Sequence, residues 1–214
     1  MGAATIAVID YGMGNLRSVW QAIAKVAEGR DVVVSADPAV VAAAERVVFP
    51  GQGAMPDCMR ELEARGLRDV VIEAARSKPF LGICIGLQML FDHSEEGDVD
   101  GLGVFAGPVR RFPADRMKGP AGEKLKVPHM GWNEVAQVRP HPLWSGIDDG
   151  ARFYFVHSYY VDPVDPACVA GQTGYGIPFT SAVARDNIFA IQCHPEKSAH
   201  AGLTLLSNFV RWQP

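Results

Sequence analysis

From residue 5 to residue 85 the chain switches repeatedly between short β-branched runs and longer stretches with helical spacing, the pattern of a parallel sheet covered on both faces. Strands are predicted at 5–10, 31–35, 46–49 and 79–83. Between the first two, residues 15–27 carry Leu16, Val19, Trp20, Ile23 and Val26 at helical intervals. Asp37 and Pro38 then supply an N-cap and a first-turn proline for the next crossover helix. With 214 residues, 48% of them apolar, the chain suffices for a single α/β domain (1–214) with a sizeable core.

Beyond Phe91 the pattern changes. Gly, Pro and charged residues dominate 93–103 and 113–122, which are predicted as loops. Alternating segments at 127–138, 151–161, 168–173, 180–184 and 188–193 predict further strands, in an added antiparallel region, and 199–212 closes as a helix. No internal repeat, low-complexity tract or linker interrupts the chain.

The segment 79–90, PFLGICIGLQML, sets Cys84 between an apolar run with strand character and an amphipathic run with helix character. Gly82 and Gly86 flank it symmetrically, as a sharp strand-to-helix turn demands when neighbouring backbone must not clash. This is a nucleophile elbow with sulfur in place of oxygen. Such a turn leaves the sulfur at a helix N-terminus, where unpaired N–H groups and the helix dipole favour a thiolate. A buried cysteine acting as a small hydrophobe is the plainer alternative; the paired glycines and the switch to helix directly after the sulfur favour chemistry.

A nucleophile needs a base, and residues 188–193 form a predicted strand running into His194-Pro195-Glu196. If Pro195 keeps this segment extended, Glu196 lies on the same side as His194 and orients its ring, leaving the other nitrogen for the nucleophile. Alternation turns Cys193, the rival nucleophile, into the core while His194 faces the site. A metal site of Cys84, Cys193 and His194 lacks zinc-type spacing, so no metal and no organic cofactor is expected. Backbone N–H groups exposed by the glycines of Gly51-Gln52-Gly53, after the third strand, together with that of Ile85, are candidate oxyanion donors, although the glycines also suit an ordinary turn. Gln88, four residues beyond Cys84, shares its helical face, there to bind a polar substrate or simply to be exposed.

A net charge of −4 gives no general attraction to nucleic acid or to an anionic membrane. The four cysteines are widely spaced without a C-x-x-C pair, and the N-terminus shows no basic segment followed by a long apolar run. The expectation is a soluble chain in the reducing cytoplasm.

Taken together, GICIGLQ around Cys84 and HPE around Glu196 resemble the class I, or triad, glutamine amidotransferases. The runs DYGMGNL (10–16), KVPHMGWN (126–133) and FYFVHSY (153–159) are similar to the glutaminase subunits of imidazole glycerol phosphate synthases. The resemblance implies that Cys84 attacks the side-chain amide of glutamine, His194 protonates the departing ammonia, and Glu196 orients His194. It also implies that Gln88, His157, Ser158 and Tyr159 line the glutamine pocket. Asn15, Met130 and Trp132 would touch a separate (β/α)8 cyclase subunit, in a heterodimer that passes ammonia to it. One departure is Gln52, where that family often has valine; a backbone donor there does not depend on the side chain. A related amidotransferase serving another synthase, and a non-catalytic subunit, are the rival readings, and the intact Cys84, His194 and Glu196 argue against the second.

Overall fold

The structure, a computed structural model, describes residues 5–119 and 121–214. The expectations about the first four residues, and about Pro120 within the loop at 113–122, fall outside the described residues. The first half alternates as its sequence requires: β1 (Thr5–Ile9), α1 (Leu16–Val26), β2 (Asp31–Ser35), α2 (Pro38–Ala43), β3 (Arg46–Phe49), α3 (Met55–Ala64), α4 (Arg68–Ser77), β4 (Phe80–Ile83) and α5 (Ile85–Met89). The second half continues with β5 (Phe91–Ser94), β6 (Val99–Asp100), β7 (Phe105–Arg111), β8 (His129–Glu134), β9 (Ala136–Gln137), β10 (Arg152–His157), β11 (Tyr159–Val161), β12 (Val169–Tyr175), β13 (Ile177–Arg185), β14 (Ile188–Ile191) and α6 (Ala199–Arg211).

Among the described residues the main sheet runs β2-β1-β3-β4-β14-β13-β11-β7-β5-β6. From β2 to β14 every neighbour is parallel, and at β13 the direction reverses. β3, β4 and β14 are buried at every residue, which is why, apart from Arg46 at the start of β3, their sequences are continuously apolar rather than alternating. The last strand of the chain, β14, pairs in parallel with β4, Ile191 opposite Ile83. That pairing carries the ends of two distant segments, the one before Cys84 and the one before His194, to the same edge of the sheet. No helix among the described residues is long and apolar enough to cross a membrane.

Four sequence expectations need correction. Residues 93–103 are not simply loop: β5 pairs in parallel with β7 and antiparallel with β6, in strands too short to show a period. The predicted strand 127–138 is broken at Val135, whose buried side chain turns inward and whose N–H bonds the Ala151 carbonyl at 3.0 Å. The predicted strand 151–161 is two strands, because at Ser158 the chain leaves the β8–β10 pair, a separate antiparallel sheet, and joins the main one. Finally, α5 is not amphipathic but buried at all five residues, its one polar side chain, Gln88, bonded internally.

Candidate active site

Cys84 sits at φ 56°, ψ −112°, a backbone conformation that costs a residue other than glycine about 1–3 kcal/mol and persists only where surrounding packing imposes it. The imposition is visible. The Cys84 N–H donates to the Ile191 carbonyl at 2.8 Å, and the Cys84 carbonyl accepts from Leu87 N–H at 3.0 Å, so strand and helix meet at this one residue. A methyl group on Gly86 would strike the Phe49 carbonyl oxygen, and one on Gly82 would lie 2.9 Å from Ala190 Cβ. The two glycines thus let the elbow press against β3 on one side and β14 on the other.

His194 follows β14, its N–H donating to the Tyr154 carbonyl at 2.8 Å. Glu196 reaches it by a different route from the extended one expected: Pro195–Lys197 form a turn of 3-10 helix, and this curl, not strand alternation, brings Glu196 Oε1 to 2.8 Å from His194 Nδ1. Ser198 fastens the turn, its hydroxyl donating to the His194 carbonyl at 2.5 Å and accepting from Tyr154 N–H at 3.0 Å. Both side chains of the pair are almost fully buried. Burial alone lowers the pKa of the imidazole, but the Cys84 sulfur, and after it the Glu196 carboxylate, outweigh it and raise the group from 6.5 to about 10. Nδ1 is committed to Glu196, while Nε2, with no hydrogen-bond partner in place among the described residues, is available to the sulfur and to a proton in transit.

The other thiols are set apart. Burial holds Cys193 well above its ordinary pKa and pushes Cys58 up to about 11. Cys193 is enclosed in the core, as alternation predicts, whereas Cys84 lines a cavity.

That cavity, of about 310 Å³, is walled by Gln52, Gly53, Cys84, Ile85, Gln88, Glu96, Pro128, Val156, His157, Ser158, Tyr159 and His194. The structure therefore gathers most of the sequence-predicted site residues around one space: the elbow, the Gln52-Gly53 segment, and the Ser158 crossing between sheets. Gly51 is set just behind, with Gln52, His194 and Glu196, around a small void. Cys58 Sγ contacts the Gln52 carbonyl at 3.6 Å. Gln88 donates through Nε2 to Gln192 Oε1 at 2.9 Å and to the Tyr159 carbonyl at 3.2 Å, leaving its own Oε1 buried without a partner. Asn15 caps α1, accepting from Ser18 N–H at 3.4 Å, and borders the same small void. Met130 and Trp132 project from β8 and remain 62% and 43% exposed, large apolar surface left open among the described residues.

Two residues escaped the sequence reading. Glu96 brings a carboxylate to the cavity, one oxygen accepting from Met55 N–H at 2.9 Å; in sequence it is one acid among charged residues and carries no signal. Gln192 points its Nε2 at Cys84 Sγ, 3.7 Å away. Here a signal existed, since alternation places residue 192 on the face of residue 194.

With an elbow thiol, a carboxylate-oriented imidazole and a polar cavity, the arrangement is equipped for acyl transfer through a thioester. Residues 7–212 match the family described as glutamine amidotransferase class-I. The imidazole glycerol phosphate synthase subunit HisH of Dechloromonas aromatica is 72% identical over 98% of this chain and 97% of its own length. The subunit of the same name from Aromatoleum aromaticum is 68% identical over 98% of this chain and 99% of its own. Among solved structures, PurLQS from Thermotoga maritima aligns with a TM-score of 0.70 over 98% of this chain and 99% of the other, at 18% identity, a likeness of fold alone.

Proposed function

The chain belongs to the class-I glutamine amidotransferases and, within them, to the HisH subunits of imidazole glycerol phosphate synthase, and from that premise we propose how it works. It hydrolyses L-glutamine to L-glutamate and ammonia in L-histidine biosynthesis. The ammonia passes to a (β/α)8 cyclase subunit, which makes imidazole glycerol phosphate and an aminoimidazole carboxamide ribotide. In this reading the chain is one amidotransferase domain acting in the cytoplasm as half of a heterodimer. The observation that carries the catalytic assignment is the buried His194–Glu196 pair, 2.8 Å apart, with its free Nε2 sharing a cavity with Cys84.

Cys84 Sγ attacks the side-chain amide carbon of glutamine, its proton passing to His194 Nε2. Backbone N–H groups of the Gly51 to Gly53 segment and of Ile85 stabilise the oxyanion that forms. As the carbon–nitrogen bond breaks, His194 returns the proton and ammonia leaves. Water, deprotonated by the same nitrogen, then attacks the thioester; the carbon–sulfur bond breaks, glutamate departs and the thiol is restored. Gln88, His157, Ser158 and Tyr159 shape the pocket for glutamine, and the Glu96 carboxylate is available to its α-ammonium group.

The direct test is glutamate release by the purified protein, with and without the cyclase subunit and its nucleotide ligand. Release that rises with the liganded partner is expected; none under any condition would sink the reading. A finer test concerns Glu196. Because its charge helps hold the His194 imidazolium until the pH climbs through about 10, Glu196→Gln moves the loss of the imidazolium to lower pH. The expected result is an alkaline limb of kcat/KM shifted downward, with kcat reduced about 10- to 100-fold. An unmoved limb removes Glu196 from the triad.

Met130 and Trp132 are proposed as contacts with the cyclase, along with Asn15. Trp132 is a half-exposed aromatic edge-on to Tyr154, the kind of side chain that anchors an interface. Trp132→Ala is expected to weaken the complex about 30-fold by calorimetric titration. Wild-type affinity would leave Trp132 outside the contact.

A further inference from the structure

Two paired imidazoles line two different cavities. His157 lines the cavity of Cys84, and His129, directly across from it in the β8–β10 register, lines a second cavity of about 730 Å³. The rings meet at 2.9 Å, His129 Nδ1 to His157 Nε2, and both residues are buried. Burial lowers His129 to about 4 and, with help from the neighbouring imidazoles and against the Tyr159 carbonyl, His157 to about 3. Both are therefore neutral near pH 7, and a neutral imidazole has one donor nitrogen and one acceptor.

The partners leave only one way to place the protons. His157 Nδ1 lies 2.7 Å from the Tyr159 carbonyl, which can only accept, so that nitrogen carries the hydrogen and Nε2 is the acceptor. His129 must then donate through Nδ1, and its Nε2 must accept. The donor to it is Asn133 Nδ2 at 3.2 Å, an amide whose orientation is fixed by its bond to the Gly174 carbonyl at 2.9 Å and by Glu134 N–H on its oxygen at 2.8 Å. Tyr175 and Phe155 stack against the His129 ring at centroid distances of 4.0 and 4.9 Å, which keeps it from turning. The Tyr159 carbonyl at the end of this chain also receives Gln88 Nε2, which in turn donates to Gln192, the amide aimed at the nucleophile.

We propose that His129, which does not border the catalytic cavity, is a positioning residue for it: by donating to His157 Nε2 it locks the ring in the tautomer that the Tyr159 carbonyl selects, and so holds the placement of that carbonyl and of the Gln88 amide. The inference rests on reading that cavity as the glutamine site. Removing the donor leaves the buried His157 Nε2 acceptor unmet, so that the Tyr159 carbonyl alone holds the ring against rotation and against transfer of its proton to Nε2. Loss of a buried hydrogen bond of this kind is worth about tenfold in an equilibrium or more, and here it falls on glutamine binding.

The first test needs no variant and no substrate. Imidazole nitrogen–proton NMR correlation spectra of the wild-type protein at neutral pH are expected to show both His129 and His157 protonated on Nδ1. A proton on His157 Nε2 would overturn the proposal even if glutamine is hydrolysed, and the expected tautomers stand even if it is not. In the second test, His129→Leu is expected to give a mixed His157 tautomer and to raise KM for glutamine about tenfold, with kcat changed by about twofold or less. His129→Asn, whose amide nitrogen reaches the place of Nδ1, is expected to restore KM to within about twofold of wild type. An unchanged KM in His129→Leu, or equal losses in both variants, refutes a positioning role.

Discussion

Alanine at position 84 is expected to lower glutamine-dependent turnover by about 10⁴-fold or more while leaving the cyclase partner's use of free ammonia within about twofold of wild type. The asymmetry follows from what the sulfur does and does not do. It forms the only proposed covalent bond to substrate, so no other group replaces it; Cys58 and Cys193 are sealed in the core with thiols that burial keeps protonated. Its contribution to folding is small by comparison, because its backbone bonds to Ile191 and Leu87 survive truncation at Cβ. The measurement is glutamate release and cyclase product formation in the reconstituted complex, supplied in turn with glutamine and with ammonium. Loss of both activities would recast Cys84 as structural.

Gly86→Ala should act on the fold instead. The added methyl collides with the Phe49 carbonyl oxygen, a backbone atom at the buried end of β3 that has no rotamer to change. Strand β3 or the elbow must shift, at a cost of roughly 3 kcal/mol or more, which for a chain of this size lowers the melting temperature by about 6–12 °C. Gly174→Ala is the control: its methyl meets nothing within 4 Å, and the melt should move by about 2 °C or less. If the two variants melt together, contact with β3 is not what requires glycine at position 86.

The elbow was legible in sequence because its requirements are local. A strand, a cysteine between two glycines and a helix occupy consecutive residues, and the steric reason for each glycine is a neighbour that any strand-to-helix turn would bring. The His194–Glu196 pair was found for a reason that proved wrong in detail, since a 3-10 turn delivers what an extended chain was expected to deliver. What stayed hidden depends on tertiary placement. Residues 151–161 alternate as one strand would, and nothing in their period announces that Ser158 carries the chain from one sheet to another. That crossing puts both His157 and Tyr159 at the cavity. Glu96 is equally silent in sequence, because a carboxylate acquires meaning here only from the pocket it faces.

The parallel pairing of β14 with β4 also governs the order in which chemical competence is acquired. As the chain is synthesised, Cys84 emerges more than one hundred residues ahead of His194, and the slot between β4 and β13 that β14 fills stays open until residues 188–191 are available. Until then the cysteine has neither its base nor the Ile191 carbonyl that holds its N–H. Contacts of such long sequence separation form late and only cooperatively with the rest of the sheet. A nascent or truncated chain ending before β14 thus carries an unpaired thiol rather than a catalytic one, and reactivity at Cys84 becomes a property of the finished fold.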